Sequence, residues 1–425
     1  MNHSKRLASL VAVVGLVAAA CGGGATGTPA ASTAASQPAG TQAASTAPTL
    51  TGTLTIWQSY ASGGGELTAF NQVLDKVKAA NPGLTINNVT QDFSKMFQLW
   101  DTDVLAGGAS ADMFIAPNDN LYSEAAAHTI LNLNDKLTAA MLTGFSQTAV
   151  NGAKADIGDG KGPQFYMVPE SLKAVALWYD KSKIATPPAT TADLLAGVTS
   201  GAIKLGLNQN AYHMFGFSGS FGGKLMDDTG KCIADQAGFA DAFKYMEDLK
   251  AAGAKYYTNG ANITPDLHNG VINAVIDGPW QTADFTSTDK GIGANAAVAA
   301  MPAGPGGKAN PFTGTDGWYI NPNSQNVDLA FQFALQMVAT AQEQIMTDGA
   351  GHVPAAPNVT ISSSIVKGFA DAAANGLPRP QTKAFGNYWG PFGNAINSLV
   401  QKNSDPTQTV KDACSQMNAA TFKQS

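Results

Sequence analysis

Side chains able to make or break bonds are sparse in this chain, and their spacing suits none of the common reaction types. His128, His213, His268 and His352 stand far apart, with no pair at the helical spacing that puts two metal ligands on one face. The stretch "GFSGS" (216–220) approaches a nucleophile turn but lacks its closing glycine and a strand-turn-helix setting. "GPGGKAN" (304–310) misses the phosphate-loop spacing and has no Ser or Thr after Lys308. "GDGKG" (158–162) has no downstream acidic ligand for calcium and reads as a hairpin turn. No carboxylate pair for glycoside cleavage is signalled, and neither a metal nor a cofactor is expected.

What recurs instead is a set of planar or charged groups just after apolar runs. They are Gln58–Tyr60, Asn118–Asn120 with Asp119 between, Glu170 to Lys173, Trp280, and Asp316 with Trp318. Nearly all are aromatic, carboxylate or amide. Trp280 is the oddest, because in "NAVIDGPWQTADF" (273–285) it directly follows a Gly-Pro stop at the end of the run Ala274–Ile276.

The elements that would position these groups alternate strand and helix. "LTIW" (54–57) is a short apolar strand, and the next segment carries Leu67, Phe70, Leu74 and Val77 at helical spacing until Asn81-Pro82-Gly83 stops it. "LTINNV" (84–89), a helix over 94–108 and the strand "DMFIAP" (112–117) complete a β-α-β-α-β order, which implies a parallel sheet covered by helices. A second strand-rich patch spans 165–181, "MDDTGKCIA" reads as a hairpin, and helices follow at 237–253, 327–341 and 407–420. Trp57, Trp100 and Trp178 are expected in the core. Ligands of open α/β sheets settle beyond the carboxyl ends of strands or between domains, where the planar groups fall.

With 425 residues the chain can form two domains, and its 25 basic against 31 acidic residues disfavour nucleic acid as a partner. "MNHSKR" followed by the apolar run Leu7–Ala20 reads as an export signal, too short for a membrane span of roughly 20 apolar residues. It ends in "VAAAC", which resembles a bacterial lipobox with Ala18 in place of the usual leucine and Cys21 as the acylated residue. A charge-free Gly/Ser/Thr/Pro/Ala tract follows, a composition that behaves as a flexible tether. Residues 1–20 are thus expected to be a signal peptide and 21–50 a lipidated tether, tying the protein to the outer face of a bacterial cytoplasmic membrane. Cys232 and Cys414, 182 positions apart, either pair outside the cell or remain two buried thiols.

Taken together, "GTLTIWQSYASGGGELTAF", "ADMFIAPNDNL", "VPESLKAVALWYDKS", "NAVIDGPWQTADF", "NPFTGTDGWYINPNS", "GHVPA" and "KAFGNYWGPFGNAINSLV" resemble, in order and spacing, the extracellular solute-binding proteins of bacterial ABC importers, specifically the maltose/maltodextrin-binding branch. The resemblance implies a non-enzymatic receptor, a monomer with a two-lobe α/β periplasmic-binding-protein-like fold, delivering an oligosaccharide to a permease and its ATPase. It places the lobes at 51–171 plus 317–364 and at 172–316 plus 365–425, with strands crossing near 171–176 and 313–317 and a late connection near 365. It implies that Trp280 and Trp389 lie flat on sugar rings, with Tyr388 the rival of Trp389, and that Tyr212 and Trp318 are further cleft aromatics. Asp119, with Asn118 and Asn120 beside it, and Asp316 would meet sugar hydroxyls, while Tyr60 and Glu66 border the first strand's exit. Asn120 stands where relatives often carry Arg. Counting back from Tyr179 puts Lys173 where relatives place an acid, so either the chemistry has changed or Glu170 substitutes.

Overall fold

The computed structural model describes residues 48–62, 64–236 and 238–422; Cys21, the signal and most of the tether lie outside them. The first strand, Thr51–Gln58, is buried from Leu54 onward apart from Thr55, as suits a parallel strand covered on both faces. It pairs in parallel with Gly83–Thr90 on one side and Met113–Pro117 on the other. Helix Gly65–Ala80 buries Phe70, Val73, Leu74 and Val77 as one stripe, and helix Phe93–Leu105 buries Met96, Trp100 and Val104. Asn81 closes the first helix: its amide donates to the Val77 carbonyl at 2.7 Å while its Oδ1 accepts from the Leu50 amide at 2.7 Å. The β-α-β-α-β reading holds.

The sheet continues with strands that belong to both halves of the molecule. Phe312–Ile320, buried along its whole length, runs antiparallel to Met113–Pro117 and to Val168–Lys173, which also pairs with Val353–Pro354. Phe312 packs in a second core while Trp318 and Ile320 pack in the first. Similarly, the chain leaves Val168–Lys173 and enters Ala176–Asp180, a member of a five-stranded sheet with Ala296–Ala299, Ala274–Asp277, Leu205–Asn208 and Lys255–Tyr257. After Val353–Pro354, helix Ser364–Asn375 completes a third link by setting Phe369 against Trp178, 5.2 Å between ring centres. Two sheets are therefore joined by three segments of the chain. Trp57, Trp100 and Trp178 are core residues, with the Trp100 indole donating to the Thr129 carbonyl at 2.8 Å. No helix among the described residues is long and apolar enough to cross a membrane.

Two smaller readings resolve here. "GDGKG" lies in the turn between the paired strands Lys154–Ala155 and Gln164–Phe165, with Gly158, Gly160 and Gly162 all at positive φ. The "MDDTGKCIA" hairpin shrinks to a turn closed by one Met226–Cys232 bridge, because Asp227 draws the Thr229 and Lys231 amides onto its side chain. That turn presents Cys232 to helix Pro406–Thr421, where it forms a disulfide with Cys414, and Asn418 accepts from the Cys232 amide at 2.7 Å. The bond closes a loop of 182 residues and fixes the last helix behind helix Trp389–Lys402. Replacing either cysteine by serine is expected to cost about 2–5 kcal/mol of stability. Thermal melts of the variants, and of the wild type with and without reductant, measure it; unchanged melting would show the bond to be idle.

Candidate functional site

Between the two sheets lies a cavity of about 540 Å³. Its wall is drawn from strand exits: Ser59 and Tyr60 after the first strand, Asp119 after the third, Tyr212 and His213 after Leu205–Asn208, and Trp280 after Ala274–Asp277. The crossing strands supply Lys173 and Asp316, helix Gly65–Ala80 supplies Glu66, and Trp389 and Arg379 close the far side.

The Gly-Pro stop explains Trp280. Asp277 ends its strand fully buried and accepts from the Gly278 amide (2.8 Å), the Asn208 amide (3.2 Å) and Gln281 (3.3 Å), with His213 Nε2 at 3.3 Å. Pro279 then starts a single 3-10 turn, Pro279–Gln281, which throws the indole back over the backbone. A Cβ on residue 278 would overlap that ring, so the indole keeps this position only beside a glycine. From the core side, the Trp178 indole donates to the Gly278 carbonyl at 3.1 Å. Trp280 is left half-buried, edge-on to His213 (5.8 Å, 88°), with the Lys173 ammonium 5.7 Å from its ring centre.

Trp389, the first residue of its helix, also lines the cavity, half-buried, with an indole N–H that has no partner among the described residues. Its rival Tyr388 points the other way, stacked on Phe392 and donating to the Ala211 carbonyl at 2.8 Å; Tyr388 backs the wall and does not line it. Tyr212 lines the cavity with the Arg379 guanidinium 5.3 Å from its ring centre, and Arg379 makes an ion pair with Asp119.

Several expected positions are displaced. Trp318 shares the strand face of Asp316 but sits two residues, about 6.6 Å, further along it. There the covering helices enclose it completely, against Phe70 and Phe333. Asn118 turns inward, donating to the Gly152 carbonyl at 2.9 Å and accepting from the Thr315 amide at 3.2 Å, and so pins the crossing strand. Asn120 opens a short helix and faces a neighbouring groove beside Phe93 and Phe97. Glu170 lies behind the wall. A bulge opposite Asp316 and Gly317 leaves Glu170 outside the strand register and aims it at His352.

The floor is a chain of alternating charges. Lys173 Nζ lies 2.6 Å from Asp316 and 3.6 Å from Glu66; His352 places Nε2 3.0 Å from Glu66 and Nδ1 2.9 Å from Glu170. Burial opposes the charge on Glu66 and Glu170, yet Lys173 and His352 together hold both carboxyls below their usual range. Burial likewise opposes the His352 cation, but the two carboxylates outweigh it and push the imidazole up to about 10. Lys173 is raised because Asp316 and Glu66 overcome its desolvation. Asp316 is pushed up by its own burial, which outweighs the short contact with Lys173. Above this floor, Tyr60 Oη, Tyr212 Oη, Asp316 Oδ1 and Arg379 Nε are buried without a hydrogen-bond partner among the described residues. A cavity with aromatic walls and free buried donors and acceptors suits a ligand with polar rims and apolar faces.

His213, Asn210, Phe93 and Arg379 belong to the wall without having been picked out in the sequence. For Arg379 a signal existed: it is the sole arginine after Arg6.

The same architecture recurs in known proteins. The GacH receptor of Streptomyces glaucescens, solved unliganded and with acarbose, superposes with a TM-score of 0.79 at 18% identity, covering 88% of this chain and 100% of that one. The maltotriose-binding protein of Thermus thermophilus, bound with maltotriose, gives 0.74 at 23% identity, covering 86% and 99%. In sequence, the maltooligosaccharide ABC transporter solute-binding lipoprotein of Streptococcus pneumoniae is 25% identical over 344 residues, 72% of this chain and 75% of that one. The two-lobe α/β fold is therefore that of these receptors. The match to the family profile, over residues 72–374, covers well over half of the sequence, and the chain belongs to the bacterial extracellular solute-binding proteins.

Proposed function

We propose that the cavity captures a neutral oligosaccharide, of the maltose or maltodextrin class, and delivers it to the permease and ATPase of an ABC importer without turning it over. The observation that carries this reading is the pairing of half-buried ring faces, Trp280 and Trp389, with a polar floor whose cations are already neutralised. Pyranose rings have C–H patches on their faces and hydroxyls on their rims, and such a site complements both. The cavity lining sets Glu66, Asp119 and Asp316 against Lys173 and Arg379, a charge balance that disfavours an anionic ligand. The named relatives support the sugar class. A second reading keeps the receptor and changes the cargo to another sugar or polyol; Lys173 and Asn120, which depart from the pattern of relatives, favour it. A secreted glycoside hydrolase is the remote third, and hydrolysis of a chromogenic glucoside would identify it. Titration calorimetry against a panel of mono- and oligosaccharides decides the cargo. Binding of none would end the receptor reading.

Capture is proposed to proceed by closure of lobes 51–171 plus 317–364 and 172–316 plus 365–425 in a monomer. Support comes from a tight contact between the two halves. A Cβ at Gly65 would overlap the Ala283 methyl, and one at Gly351 would overlap Thr282. Two glycines of the first half thus admit the turn that follows Trp280. Anchoring of the exported protein to the outer face of the cytoplasmic membrane through Cys21 rests on the lipobox and tether. Two acyl chains hold stably, since each buried CH₂ contributes about 0.8 kcal/mol.

Three outcomes are expected. Trp280→Ala should weaken sugar binding about 30- to 1,000-fold, the range of a lost hot spot, with little change in the ligand-free melting temperature. A collapsed melt with intact affinity per folded molecule would make Trp280 a structural corner instead. Gly65→Val should fold normally but lose both affinity and the ligand-induced fall in radius of gyration that small-angle scattering should show for the wild type; normal contraction would count against the glycine contact as the closure surface. Cys21→Ser should leave the washed membrane fraction with binding unchanged, and retention there would argue against lipidation.

A further inference from the structure

His352 does not line the cavity, yet it touches the acid that does. Helix Thr340–Ala350 ends at Gly351 with φ of 80°, and the next strand, Val353–Pro354, pairs with Ser171 and Leu172, so the backbone at 352 is fixed on both sides. Its imidazole is fully enclosed, with both ring nitrogens on carboxylate oxygens: Nδ1 on Glu170 and Nε2 on Glu66 Oε1. A ring facing acceptors at both nitrogens carries a proton on each. The surrounding groups are consistent with that cation: Glu66 and Glu170 in contact, the Tyr60 ring 6.3 Å away, and Lys173 paired beyond Glu66 with Asp316.

Glu66 belongs to the first turn of its helix, where a free glutamate would sample several rotamers. Here Oε1 is occupied by His352 and approached by Lys173, whereas Oε2 has no hydrogen-bond partner among the described residues and Glu66 borders the cavity. We propose that His352 is a positioning residue of this site: it commits Oε1 of Glu66 from behind and thereby presents Oε2 to the ligand as a fixed acceptor. The assignment deepens the saccharide reading above and rests on it for the identity of the ligand. A pre-set charged acceptor strengthens binding because its ordering is complete before the ligand arrives. Glu170 supplies the counter-pull on the other side of the ring, which accounts for a buried acid that the cavity does not see.

Two measurements test this. On the ligand-free wild type at neutral pH, nitrogen NMR of the His352 ring should show both nitrogens protonated, and the Glu66 carboxyl should titrate lower than it does in His352→Gln. A neutral ring, or a Glu66 titration indifferent to the substitution, overturns the proposal without reference to any ligand. The second is a double-mutant cycle read by calorimetry with maltotriose. Glu66→Gln should weaken binding about 10- to 100-fold in the wild type, as loss of a charged hydrogen bond does, and far less in the His352→Gln background. Equal losses in both backgrounds would show His352 to be structural only and overturn the proposal. A wild type that keeps both ring protons and binds no saccharide in the panel overturns the receptor reading and not the positioning.

Discussion

A lysine and an aspartate buried side by side on neighbouring strands set the terms for everything around them. Lys173 and Asp316 lie on the two strands that cross between the halves, at diagonal positions in the antiparallel register. Either charge alone would be costly in that environment, since each buried ion loses several kcal/mol of hydration. They neutralise each other, and further groups extend the chain: Glu66 from a helix start approaches Lys173, and His352 from a helix end links Glu66 to Glu170 at the bulge. The alternation of sign along this chain binds four separate segments to one place, so the region where the halves join is also the most constrained.

The aromatic wall follows a different logic. It is held by backbone geometry more than by charge: a proline sets the turn, a glycine admits the ring, and Asp277 gathers the nearby amides. On the other side, Tyr388, Phe385 and Phe392 form a stacked support beneath Trp389, itself backed by the disulfide-linked last helix.

Much of this was legible because hydrophobic period and strand-end position are local properties. The run "LTIW", the stripe Phe70–Leu74–Val77 and the stops after them carry the first sheet, and groups placed just past strands include Tyr60, Asp119, Lys173 and Trp280 of the observed wall. What could not be read was distance along a strand and sidedness after an irregularity. Trp318 and Asp316 share a face, and only the depth of helix cover separates a core residue from a wall residue. The bulge at Glu170 breaks the two-residue alternation on which any assignment of that strand depends. Arg379 follows Leu377–Pro378, too short a strand to leave a periodic signal, and helices Thr340–Ala350 and Trp389–Lys402 carry no clear start in the sequence. Proximity of Cys232 and Cys414 depends on how the last helix docks, a long-range fact.

The ring of Trp280, laid on Gly278 and held by Trp178 and His213, has a consequence in the time domain. A side chain already confined to one orientation gives up almost no rotamer freedom when a ligand covers it, so discrimination between cargoes falls on how long each stays and not on how often each is accepted. In the capture proposed above, residence time is the quantity that matters, and the glycine two residues before the tryptophan helps to set it.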